Sequence, residues 1–229
     1  MKIGLTGSIA CGKSTVAAML REAGYHVADA DAISRALTAP GGEALPAIRD
    51  AFGDSVFLRA VPASTSDDSL PSDDLCAPVA GAAQGELITP LTLDRRKLGA
   101  LVFGDEAQRA RLNAILHPLI IERTFREVEA HDAPDSLSFA DVPLLYECHM
   151  QGRFDRVWVV SASRNTQLTR LAQRDGLSQS EAAQRIDAQM PLEEKCARAD
   201  AIISTDGSLA DTRAQLTRLL AAPDQRRQP

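Results

Sequence analysis

No two cysteines in this chain stand at C-x-x-C spacing, and that absence removes several readings at once. Cys11, Cys76, Cys148 and Cys196 are scattered along 229 residues, which excludes a zinc ribbon or a disulfide framework and suits a reducing cytoplasm. No apolar run approaches the roughly 18 to 20 residues of a membrane-spanning helix. The stretch from Ile3 to Cys11 does not read as a signal peptide either, because Thr6, Gly7 and Ser8 break it. Cations are not in excess. Twenty-five Lys and Arg against 31 Asp and Glu leave a net charge of −6, which argues against a nucleic-acid or membrane-surface partner. A nucleotide substrate is not excluded, since the field felt by a bound phosphate is local. Internal repeats are lacking, and aromatic residues make up only 4% beside 45% hydrophobic residues. Such a chain suffices for one good-sized α/β domain, acting as a monomer or small homo-oligomer.

What is there begins at the N-terminus. Gly7-Ser8-Ile9-Ala10-Cys11-Gly12-Lys13-Ser14, with Thr15 following, fits G-x-x-x-x-G-K-[ST] in full. Glycines let a run of backbone N–H groups turn around a phosphate chain. Lys13 supplies a point charge to the β/γ-phosphates and the Ser14 hydroxyl is a ligand for Mg²⁺. With glycine near 7% of residues, the pattern arises by chance in roughly one chain of this length in a hundred. Its context is right as well. Lys2 to Thr6 reads as a buried parallel strand, and Val16, Met19, Leu20 and Ala23 recur at helical spacing before Gly24. Cys11 lies beside Lys13 and near a helix N-terminus, so it is expected to be the most reactive of the four thiols.

A second strand, Tyr25 to Ala28, ends in Asp29-Ala30-Asp31. Ligands of open α/β sheets sit beyond the carboxyl ends of the strands, so both carboxylates are expected beside the phosphate loop. One of them can instead cap the helix expected from about Ala32. From 60 to 90 apolar periodicity disappears among prolines, serines and acidic pairs, which reads as a mobile surface insertion. Asp94 is an expected N-cap. A helix from Gly104-Asp105 is expected to be interrupted at His117-Pro118 and to continue on a kinked course to Glu129. Asp141, at the end of a further strand, is the usual place for a carboxylate that meets Mg²⁺ through water. Arg156 to Val160 is a clear interior strand. Arg170 and Arg174 share one helix face, and a polar excursion of about 175–195 carries Glu181, Arg185 and Gln189, with Lys195 and Arg198 near its end. These cations suit a lid that neutralises charge on a transferred phosphoryl group. Ala201 to Ser204 is the fifth strand, a final helix follows, and 223–229 is a tail. The count gives a doubly wound, five-stranded parallel sheet over 1–222.

Gly4 to Thr15, Asp29-Ala30-Asp31-Ala32-Ile33-Ser34-Arg35, Pro40-Gly41, Leu112-Asn113 with His117-Pro118-Leu119, Val142 to Leu145 with Glu147, and the 170–195 stretch together resemble dephospho-CoA kinases. The resemblance covers nearly the whole chain outside 60–90 and the tail. It implies a nucleoside-monophosphate-kinase type of fold with a helical acceptor-binding region and a lid. It also implies transfer of phosphate from Mg·ATP to dephospho-CoA. By resemblance Asp31 is the general base, with Asp29 on the same acceptor side. Arg35 and His117 help to hold dephospho-CoA, and Arg170, Arg174 and Arg185 belong to the ATP and lid side. The 60–90 insertion and Cys11, where the family often has a smaller residue, depart from the pattern. Two other readings stay open on the residues alone: a kinase of another small acceptor such as a nucleoside monophosphate, and a nucleotide-dependent switch or assembly module. The Asp29/Asp31 pair and the cationic lid favour a kinase, because a switch needs a residue that positions an attacking water.

Overall fold

Alternation along the strands decides what covers each face of the sheet. The computed structural model describes residues 1–58, 91–131 and 136–222. Its strands are β1 (Lys2–Gly7), β2 (His26–Asp29), β3 (Ser138–Asp141), β4 (Arg156–Ser161) and β5 (Ala201–Ser204). All pair in parallel, in the order β2-β3-β1-β4-β5. The helices among the described residues are α1 (Lys13–Glu22), α2 (Ala30–Leu37), α3 (Leu45–Phe52), α4 (Arg95–Phe103) and α5 (Glu106–Ala130), then α6 (Arg164–Asp175), α7 (Gln179–Asp187), α8 (Leu192–Ala197) and α9 (Leu209–Ala221). The expected five-stranded α/β fold is the observed one.

Successive strand residues point to opposite faces. Ile3, Leu5, Val27, Phe139, Trp158, Val160 and Ile203 join Val16, Met19 and Leu20 of α1 and Leu216 of α9 in one core cluster. Ala28, Ala140, Val157 and Val159 face the other way, against Phe125 and Val128 of α5 and Leu145, Tyr146, Met150 and Phe154 beyond β3. Burying each large apolar side chain contributes about 1.5–3 kcal/mol. Both faces are thereby covered, and β4 and β5 carry unbroken apolar runs, Val157 to Val160 and Ala201 to Ile203. Strand β1 lies between β3 and β4, so the loop after it emerges at the middle of the carboxyl edge, where ligands of such sheets bind.

Two compact units divide the chain. The first joins Met1–Ser34 to Ile120–Pro229 and contains the whole sheet. The second is Arg35–Leu119. Within it, Phe57 and Leu93 form an isolated antiparallel bridge, and Arg95 donates to the Arg35 carbonyl at 3.2 Å and to Thr38 Oγ1 at 2.9 Å. Asp94 caps α4 as expected, accepting from the Lys97 N–H at 3.0 Å.

Two boundaries differ from the expectation by more than one residue. Helix α2 starts at Ala30 because Asp29 itself is the cap, accepting from the Ala32 N–H at 2.9 Å. Helix α5 is not interrupted at His117-Pro118 but runs as one element through Pro118. Proline removes a single hydrogen bond, and with about twelve helical residues on each side the loss does not end the helix. The expected insertion at 60–90, Cys76 within it, and the tail 223–229 lie outside the described residues.

At the amino end of the sheet, His26 of β2 stacks on His131, with ring centroids 3.6 Å apart and planes 4° from parallel. Burial, and then the neighbouring His131, hold the pKa of His26 below the ordinary histidine value; Glu127 opposes this and Arg21 adds to it. A histidine whose folded pKa is depressed makes the unfolded chain the better proton binder below the ordinary value near 6.5. Stability from this site is therefore present above that value and is lost as pH falls through it. Denaturant unfolding at pH 8 and pH 5.5 should show the wild type losing stability on acidification and His26→Gln losing less. Identical losses in the two proteins would count against this assignment.

Candidate active site

The loop between β1 and α1 is shaped from outside itself. Ala10 (φ 60°) and Gly12 (φ 85°) both adopt the left-handed backbone region, which costs about 1–3 kcal/mol for a residue that is not glycine. What holds Ala10 there is visible in its hydrogen bonds. The Ala10 carbonyl accepts from Arg170 Nη1 at 3.2 Å, and the Cys11 carbonyl accepts from Thr205 Oγ1 at 2.7 Å. The same guanidinium also donates to Thr205 Oγ1 at 2.9 Å and to the Thr205 carbonyl at 2.7 Å. With those two carbonyls engaged by Arg170 and Thr205, the loop backbone is held in the turned shape that an anion-binding loop needs. Gly7 is required by close approach, since a Cβ there would lie 2.5 Å from both Cys11 Sγ and the Val160 carbonyl oxygen.

Cys11 therefore serves packing, and the expectation of a reactive thiol is overturned. Its side chain is completely buried. Burial pushes its pKa up to about 11, outweighing the hydrogen bond from the Lys13 amide and the Lys13 charge that would lower it.

Beside the loop, Lys13 Nζ forms an ion pair with Asp141 Oδ1. Asp141 closes β3 in register with Leu5 and Asp29, and is buried. Burial raises its pKa; Lys13 opposes this, and Asp29 and Asp31 add to it. Asp29 is occupied by its cap and lies 3.9 Å from Arg21 Nη2. Asp31, in the first turn of α2, is exposed. A hollow of about 790 Å³ is lined by Gly7 through Thr15, Asp31, Pro143, Arg170, Arg174, Gln189 and Thr205. The structure thus brings together the whole phosphate loop, Asp31, Arg170 and Arg174, with Asp141 joined through Lys13. The Ser14 hydroxyl and the Asp141 carboxylate are hard oxygen donors of the kind Mg²⁺ takes together with substrate phosphates. Arg35 and the half-buried His117 belong to the Arg35–Leu119 unit.

The cations of the lid stretch are paired with acids. Asp175 accepts from Arg174 at 2.8 and 3.0 Å and from Arg185 at 3.1 Å. These hydrogen bonds, that of Arg174 foremost, hold the Asp175 carboxyl below its usual range. Arg174 and Arg185 are largely exposed, and such pairs hold arginines near without anchoring them. Lys195 differs from the expectation: it is fully buried and paired with Glu147 Oε1 at 2.7 Å. It belongs to the core rather than to a mobile cationic face. Arg198 pairs with Glu194 and lies 6.0 Å from the centre of the Tyr146 ring.

Two site residues were not singled out from the sequence. Thr205 carries no motif. Gln189 reads as one more polar residue of the 175–195 stretch, yet its Oε1 accepts from the Ile9 N–H of the phosphate loop at 2.8 Å.

The family model for dephospho-CoA kinase matches residues 1–61 and 84–211. A dephospho-CoA kinase from Shouchella clausii is 38% identical over 222 residues, covering 96% of this chain and 98% of its own. A solved structure from Thermus thermophilus superposes with a TM-score of 0.70 at 34% identity, covering 96% of each chain. A dephospho-CoA kinase from Campylobacter jejuni gives 0.65 at 26% identity, again over 96% of each chain. The internal interval that the family model leaves unmatched, 62–83, falls inside the 60–90 stretch.

The burial of Cys11 yields a prediction. With a pKa of about 11, about one thiol in a thousand is ionised at pH 8. Peptide mapping after iodoacetamide treatment of the folded protein should show Cys11 labelled at least tenfold more slowly than the half-buried Cys148. Labelling of Cys11 as fast as Cys148 would refute the packing role.

Proposed function

Because this chain belongs to the dephospho-CoA kinase family, we propose that Lys13 and Asp31 carry its phosphoryl transfer within one hollow. The enzyme transfers the γ-phosphoryl group of ATP to the ribose 3′-hydroxyl of dephospho-CoA, giving CoA and ADP in the last step of CoA biosynthesis. The observation that carries the division of roles is the Asp31 carboxylate on the same hollow as the loop Gly7 to Thr15.

In this reading the loop N–H groups, with Ala10, Cys11 and Gly12 at its turn, bind the phosphates. Lys13 moves from Asp141 to the β/γ-oxygens, and Thr15 extends the binding surface into α1. Mg²⁺ is assigned to the Ser14 hydroxyl and, through water, to Asp141; when bound it neutralises phosphate charge. Asp31 orients the 3′-hydroxyl and takes its proton as the new O–P bond forms and the bond to the β-phosphate oxygen breaks. Such transition states are loose, so orientation matters more than basicity. Arg174 and Arg185 leave Asp175 for the phosphates when the lid of about 175–195 closes about its anchored end at Gln189 to Lys195, while Arg170 braces the loop. Asp29, through its cap, sets the first turn of α2 that carries Asp31. Arg35 and His117 hold the acceptor. A cytoplasmic location, as a monomer or a small homo-oligomer, fits a chain whose four cysteines stand far apart in the sequence.

Asp31→Asn keeps the shape and removes the charge. Single-turnover transfer to dephospho-CoA at saturating Mg·ATP should slow by roughly 10²- to 10⁴-fold, with ATP affinity nearly unchanged. Asp29→Asn should be milder, because asparagine still caps a helix. The roles are exchanged if Asp29→Asn is the inactive enzyme and Asp31→Asn is close to wild type.

A further inference from the structure

We propose that Gln189 is a catalytic residue whose side-chain amide donates a hydrogen bond to the transferring γ-phosphoryl group. The inference rests on reading the hollow as the ATP site. It starts from an orientation. The Ile9 main-chain N–H is only a donor, so the amide end that meets it at 2.8 Å must be the oxygen. The Nε2 end, with two protons, is thereby turned elsewhere on a side chain that lines the phosphate hollow.

Topology says which phosphate it meets. Thr205 and Gly207 line the hollow from beyond β5, at one end of the sheet order, while Asp31 and Pro143 line it from beyond β2 and β3 at the other. Gln189 is tied to this second side. The next residue, Met190, donates its N–H to Glu147 Oε1 at 3.3 Å. Glu147 is held by the fully buried Lys195, and Lys195 Nζ also donates to the Pro143 carbonyl at 3.4 Å. That carbonyl accepts from Thr6 Oγ1 of β1 at 3.2 Å. The chain of contacts fixes the backbone at 189–190 to Pro143 beyond β3, which lines the hollow together with Asp31 and the loop, and in this reading the γ-phosphate meets its acceptor on that side. A neutral donor there stabilises charge as it develops, without another cation to desolvate.

Gln189→Glu separates this role from a mere latch. Glutamate keeps the length and an oxygen to accept from Ile9, but puts an anion where the donor was. Gln189→Leu removes both bonds. We expect kcat to fall about 10²- to 10³-fold in both variants, with Gln189→Glu binding ATP at least tenfold more weakly and ADP within about threefold of wild type. A structural latch would instead leave Gln189→Glu with wild-type kcat and an unchanged ATP-to-ADP affinity ratio, and that result overturns the proposal. A rise confined to the KM for dephospho-CoA also overturns it, since the amide would then serve the acceptor. ATP binding to Lys13→Ala is measured alongside. If that variant binds ATP normally, the reading of the hollow itself has failed; if it does not, a normal Gln189→Glu refutes the Gln189 role alone.

Discussion

The phosphate loop keeps its shape because Arg170 and Thr205 hold its carbonyl oxygens. The loop contains a non-glycine residue in the left-handed region, so its own preferences would not keep it there. The two braces come from different parts of the first unit, and each is itself fixed. Thr205 follows β5 and its N–H donates to the Ser161 carbonyl of β4 at 2.9 Å. Asp206 accepts from the Ser163 N–H at 2.9 Å and from Thr166 Oγ1 at 2.6 Å, which ties the end of β5 to the start of α6 one turn before Arg170. The parallel order of the sheet thereby becomes a binding geometry: β4 and β5 position the donors that turn the loop of β1.

Two lysines near this loop illustrate opposite uses of one charge. Lys13 is paired with Asp141 while lining the hollow where a phosphate chain would lie. Such a pair can be exchanged for one with phosphate. Lys195, with no exposed surface, is matched by Glu147 and backed by the Pro143 carbonyl. Losing one member of that pair would strand a buried charge, a loss of about 3–5 kcal/mol. It therefore anchors the end of the lid stretch, while Arg174 and Arg185, exposed on Asp175, are left free to move.

The sheet was legible because its strands are buried on both faces and therefore read as apolar runs. The phosphate loop was legible because glycines and lysine must stand at fixed spacing. Asp31 was reachable from its place after β2 alone. Cys11 was misread for a definable reason: sequence shows its neighbour Lys13, whereas its desolvation depends on how Gly7 and β4 close over it. Lys195 was misread in the same way, since its partner Glu147 is 48 positions away in the chain and meets it only through the fold. Thr205 and Gln189 left no signal because their contacts are single hydrogen bonds to backbone groups of a distant loop, which no spacing rule encodes. Pro118 shows the converse error, a strong local rule overridden by the length of regular helix on either side.

The central claim is that the loop is held in its binding shape by groups outside it. Thr205→Val tests this most directly, because valine copies the shape of threonine and removes only the hydroxyl that meets the Cys11 carbonyl and Arg170. Unsatisfied buried groups cost about 1–3 kcal/mol, so titration calorimetry should show ATP binding weakened by roughly 5- to 150-fold, with the far-ultraviolet circular dichroism unchanged. An ATP dissociation constant equal to that of the wild type would contradict the account.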